Sequence, residues 1–138
     1  MSPASINLSR RAVACRHWRW EPGMRSEIRT AIRRAAYRWL SGPTDERPWG
    51  LVVIVEDHRG WPARTVATLQ PGPHDLPDLD DAATLGCLMA LVREAHGGAV
   101  VITEGNGWWS IETETTAQDD DDLPSFVHGL VWALEAAP

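Results

Sequence analysis

Residues 25–40 read RSEIRTAIRRAAYRWL, and the conformation of this stretch sets what the first half of the chain becomes. Stepped at about 100° per residue, Ile28, Ala31, Ile32, Ala35, Ala36 and Trp39 fall on one arc of roughly 140°. That spacing predicts an amphipathic helix over 25–40. Arg29 and Arg33 border one side of the apolar stripe, and Arg34 and Arg38 border the other. Ser41-Gly42-Pro43 closes it, with glycine after the last periodic residue and proline beyond.

Downstream, Trp49-Gly50-Leu51-Val52-Val53-Ile54-Val55-Glu56 is a strand. Its run from Leu51 to Val55 is continuously apolar and mostly β-branched, which predicts cover on both faces. Asp57-His58-Arg59-Gly60 is a turn, and residues 61–69 return as a second strand with Pro62 near its start or on an edge. Residues 70–80, with three prolines and a glycine, read as a surface loop. A second helix is expected over 81–96, capped by Asp80 or Asp81, with Leu85, Leu88, Met89, Val92 and Ala95 inward and Gly97-Gly98 as its stop. Residues 99–104 and 108–116 are strands joined at Gly105-Asn106-Gly107. A last helix runs over 123–136, with Phe126, Val127, Leu130, Val131 and Leu134 inward. Upstream, residues 1–24 read as an extended arm or edge strand, broken at Glu21-Pro22-Gly23.

The fold class is therefore α+β, in the order α-ββ-α-ββ-α: two antiparallel hairpins and three helices, with one four-stranded sheet covered by helices. A single domain over 1–138 is expected, with a first αββ unit at 25–69 and an αββα unit at 81–138. The hairpins look alike, Val53-Ile54-Val55-Glu56 leading to Gly60-Trp61 and Val101-Ile102-Thr103-Glu104 to Gly107-Trp108, which suggests a duplication.

Composition excludes several classes. The 138 residues include 13 Arg and no Lys, so no Schiff base and no P-loop lysine is available. The two cysteines, Cys15 and Cys87, are too few and too far apart for a disulfide scaffold. The opening Met1-Ser2-Pro3-Ala4-Ser5-Ile6 lacks a signal-peptide apolar run, and no stretch approaches the ~18 apolar residues of a membrane span. A reducing cytoplasm is the expected compartment.

Charge is divided. The net charge is -6, but residues 1–47 carry ten Arg against four acids, a formal +6, and residues 48–138 carry three Arg against fifteen acids, a formal -12. One reading is a nucleic-acid binder using Arg25, Arg29, Arg33, Arg34 and Arg38, with Trp18 or Trp20 stacking on bases. The other is that the halves neutralise each other, the arginine stems covering the rim of the core.

Metal and catalytic patterns are sparse. Cys15 and His17 have C-x-H spacing, but no second ligand pair completes a zinc site, and Asp119 to Asp122 lack the spacing of a calcium loop. Those acids suit a solvated loop at the last helix's N-terminus. Glu56-Asp57-His58, with Glu104 at the related place, is the one acid–base constellation; no nucleophile motif or cofactor fingerprint accompanies it. No cofactor and no metal are expected, and an enzyme ranks third.

Protein binding ranks first. Trp132 shares a helix face with His128 and Glu135, opposite Phe126, Leu130 and Leu134, and could anchor a partner. The acids Asp119, Asp120, Asp121 and Asp122 could meet a basic one. Most of the eight tryptophans are expected to fill the core, because Phe and Tyr occur once each. The αββα run at 81–138 resembles small phage proteins with an α-β-α sandwich. Ala14-Cys15-Arg16-His17-Trp18-Arg19-Trp20 and Asp81-Ala82-Ala83-Thr84-Leu85-Gly86-Cys87-Leu88 resemble stretches of uncharacterised small phage and metagenomic proteins. The resemblance implies an accessory protein of a phage or mobile element, acting on a host or phage protein, with host-directed inhibition such as anti-defence as one form. It carries no catalytic residue over. The oligomeric state stays open.

Overall fold

A computed structural model of the chain describes residues 3–29, 34–57, 64–98, 100–105, 108–113, 117–120 and 126–138. Helix α1 spans Pro3–Ala14, and strands β1 (Arg25–Arg29), β2 (Arg34–Ser41), β3 (Gly50–Asp57), β4 (Val66–Leu69) and β5 (Asp75–Pro77) follow. Then come α2 (Ala82–Ala95), β6 (Val100–Gly105), β7 (Trp108–Thr113), β8 (Ala117–Asp120) and α3 (Phe126–Glu135). The class is α+β with three helices, but the strands form two sheets instead of one. A five-stranded antiparallel sheet runs β4-β3-β2-β1-β5, and a three-stranded one runs β6-β7-β8.

The helix predicted over 25–40 is a pair of strands, with Arg25 opposite Arg38 and Arg29 opposite Arg34. The physical reason lies in Tyr37. On the predicted helix Tyr37 falls about 180° from Ile28, on the polar side. In the strands period two places Ser26, Ile28, Ala35, Tyr37 and Trp39 on one face, and all five are buried, Tyr37 to 2% exposure. The sheet buries the chain's one tyrosine, where the helix would expose it. Backbone pairing continues beyond β1, with Gly23 N–H donating to Trp39 O at 2.8 Å and Trp39 N–H to Met24 O at 2.8 Å.

Three further expectations change. Residues 3–14 are a helix, not an arm; Pro3 starts it, as proline can in a first turn, and Ser9 and Ala12 are buried. Residues 70–80 contain strand β5, whose Asp75 and Pro77 face inward beside β1, with Leu79 buried just beyond. Proline is tolerated there because β5 is an edge. Ser9 Oγ of α1 donates to Pro77 O at 2.8 Å and ties the helix to that edge. Residues 117–120, expected as loop, pair with β7 as β8. The duplication fails at its first element, since the element directly before the β3–β4 hairpin is strand β2 and not a helix, and the two hairpins belong to different sheets. The turn at Gly105-Asn106-Gly107 falls on positions 106 and 107, outside the described residues, although β6 and β7 pair across it.

The core gathers the inner face of the five-stranded sheet (Ile28, Tyr37, Trp39, Val52, Ile54), Leu88, Leu91 and Val92 of α2, Leu130, Val131 and Leu134 of α3, Ile111 of β7 and Ala12 of α1. Trp20 stacks on Trp39 at 5.4 Å and Trp18 meets Trp20 edge-on at 5.5 Å. Gly50 is required by this packing: a Cβ there would lie 2.2 Å from Ser41 O and 2.8 Å from the Trp39 ring.

Helix α2 is held by one hub. Asp81 caps it, Oδ2 accepting from Thr84 N–H at 3.0 Å and from Thr84 Oγ1 at 2.8 Å. The same carboxylate takes both ends of the Arg38 guanidinium, each at 3.0 Å. Thr84 Oγ1 in turn accepts from Arg25 N–H at 2.8 Å, and Arg38 also donates to Gly23 O. The helix start, β1 and β2 are thereby locked in register.

Candidate functional site

Strand β3 does not receive the cover on both faces that its apolar run calls for. Val52 and Ile54 point into the core, while Leu51 and Val55, on the alternate face, are exposed. Trp49 continues the outward alternation, Leu40 sits at a bulge in β2, and Val66 lies outward on β4, opposite Val53. These five are exposed, Val66 (57%) and Leu40 (49%) the most. They account for all but one of the exposed large apolar side chains among the described residues; the sixth, Val101, lies on β6. Arg47 stacks its guanidinium over Trp49, 4.7 Å from the ring centroid.

The other half of the same face is chemically different. There Arg25 reaches Asp78 at 3.3 Å and Glu27 at 3.7 Å, and Arg38 reaches Asp81. The ion pairs solvate the β1–β5 half and leave the β3–β4 half bare. The two edges differ as well. Helix α1 meets β5 through Ser9 and Pro77, whereas β4 is terminal in the sheet, and its sequence Val66-Ala67-Thr68-Leu69 has no charge and no proline to discourage pairing.

The residues singled out from sequence fall elsewhere. Trp132 and His128 are half-buried, Trp132 against the core, and Glu135 is taken by Arg11 at 2.5 Å, so this face is not an open anchor. Asp119 and Asp120 lie on β8, their side chains outside the described set, and Asp121 and Asp122 lie outside the described residues. The arginine helix does not exist as a helix. Arg25 and Arg38 are ion-paired, Arg34 is exposed on β2 and engaged, Arg29 is on β1 with its side chain outside the described set, and Arg33 is outside the described residues. Trp20 is buried in the stack and Trp18 packs against it, so neither offers a free ring for a base.

Among the described residues metal and acid–base chemistry find no assembled site. Cys15 Sγ points to Leu134 O at 3.5 Å, while His17 Nε2 accepts from Arg16 Nε at 3.3 Å. Among the described residues no three His, Cys, Asp or Glu gather. Glu56 is exposed on β3, Asp57 ends that strand, His58 is outside the described residues, and Glu104 belongs to β6 in the other sheet. Both cysteines are free. No described helix is long and apolar enough to cross a membrane.

Part of the charge division is neutralised within the fold. Arg11–Glu135, Arg19–Glu94, Arg25–Asp78 and Arg38–Asp81 each join the basic first half to the acidic second half. The Arg38 guanidinium holds the Asp81 carboxyl at about 2, and Arg19 holds the Glu94 carboxyl below its ordinary range. Comparison with protein-family models, curated proteins and solved structures gave no match to this chain.

Proposed function

We propose that this protein works by binding another protein, non-enzymatically, through the bare β3–β4 half of its five-stranded sheet. One observation carries the reading: Leu51 and Val55 stand on a strand whose apolar run demands cover on both faces and has it on one. Among the described residues no strand pairs with the outer edge of β4, so the partner that fits brings an extended segment with apolar side chains, pairing to β4 and laying those side chains over Val66, Leu51 and Val55. Trp49 and Arg47 at one end form an aromatic–guanidinium anchor of the type enriched in interface centres. The resemblance to small phage proteins favours a host protein as that partner, and host-directed inhibition as the outcome.

Affinity capture from host lysate tests this, with wild type beside Leu51→Asp/Val66→Asp and each arm repeated after nuclease treatment. The expected result is a protein recovered by wild type, insensitive to nuclease and lost by the double variant at unchanged circular dichroism. Nuclease-sensitive recovery would instead return the reading to nucleic acid.

A further inference from the structure

On the α2 side of the molecule, the turn after α1 and the last turns of α2 enclose a cleft of about 310 Å³, lined by Arg16, His17, Arg19, Leu91, Glu94 and Ala95. That volume is at the small end of the ligand-site range. Two of its side chains are spoken for. Arg19 is held between Glu21 and Glu94, which fixes it as one wall and engages the Glu94 carboxylate. Arg16 is different. Its Nε donates to His17 Nε2 at 3.3 Å and its Nη2 to Ala137 O at 3.5 Å, both long, and no described carboxylate pairs with it. Accepting at Nε2 leaves the His17 proton on Nδ1, so the Arg16–His17 pair presents hydrogen-bond donors, including a guanidinium with no described carboxylate partner, in a concave site. Near the end of α2 the carbonyls of Val92, Glu94 and Arg93 accept from the N–H groups of His96, Gly97 and Gly98. Leu91 and Ala95 give the floor an apolar strip.

We propose that this cleft binds a small phosphate-bearing anion. Arg16 engages it through the guanidinium fork, His17 adds a second donor, and any small organic body lies on Leu91 and Ala95. The site is separate from the sheet face and stands whether or not that face binds a protein.

Titration of the full chain with sodium phosphate, and separately with glycerol phosphate, against sodium chloride at matched ionic strength tests it by calorimetry and by the His17 imidazole NMR signal. The expected result is a saturable phosphate response absent with chloride, weakened about tenfold or more in Arg16→Ala and unchanged in Arg93→Ala, an exposed arginine on α2 but outside the cleft. Tighter binding of glycerol phosphate identifies a phosphomonoester as the ligand, and equal binding identifies free phosphate. No saturable response in wild type, or Arg16→Ala binding as wild type does, overturns the proposal.

Discussion

Asp81 caps a helix and receives a guanidinium with the same two oxygens. Each role alone contributes modestly, an N-cap about 1 kcal/mol. Together they pull the carboxyl from its ordinary value of 3.8 to about 2, with Arg38 as the larger cause. A shift of that size on a mostly buried group corresponds to roughly 2 kcal/mol. Because the folded value is depressed, this stability is fully present above about pH 4 and is lost as pH falls toward 2. Asp81→Ala is therefore expected to cost about 2–3 kcal/mol in urea unfolding at pH 7, and Asp81→Asn less, since the amide oxygen keeps the Thr84 cap. The gap between wild type and Asp81→Ala should narrow between pH 4 and pH 2; a constant gap would remove Arg38 from the account. At Gly50 the constraint is space. Gly50→Ala should cost about 1–3 kcal/mol, or more if Ser41 cannot yield, as read from the thermal midpoint.

At the scale of elements, the β1–β2 pair is the instructive case. Residues 25–40 satisfy a 3.6-residue period and a two-residue period at once, because Ala35 and Ala36 are small enough to suit either. Tyr37 separates them, and it does so only through the burial of its ring in the core. Tyr37→Ala should then cost about 3–5 kcal/mol, the range for deleting a buried large aromatic, whereas on a helix's polar face it would cost almost nothing. Among the described residues helix is confined to the 12, 14 and 10 residues of α1, α2 and α3, and isotope-resolved NMR shifts should report strand for 25–29 and 34–41. Elements with a strong single signal were legible: α2 from its Asp81 cap and glycine stop, β3 from its β-branched run, α3 from its apolar stripe. Helix α1 was not, since Ile6, Leu8, Ala12 and Val13 make a thin stripe. Strands β5 and β8 are short, polar or proline-bearing, and exist because β1 and β7 offer an edge to pair with. The bare sheet face was half-legible. The run in β3 signalled a demand for two-sided burial, but which side stays open depends on long-range register, which local pattern does not contain.

The whole molecule sorts its surface by charge and by polarity. Among the described residues its formal +6 and -12 halves meet in four ion pairs, which neutralise part of the charge division within the fold. Those pairs are mostly partly exposed, and raised salt should weaken them only slightly. What remains distinctive outside is the β3–β4 half of the five-stranded sheet, apolar and ending in an unguarded strand. Hydrogen–deuterium exchange on the protein alone and in complex with its captured partner reads that surface directly. Protection on binding is expected in residues 49–55 and 64–69, with 82–95 unchanged. Protection confined to α2 or to the ion-paired β1–β5 half, with β3 and β4 exchanging as in the free protein, would contradict the assignment of this face as the binding surface.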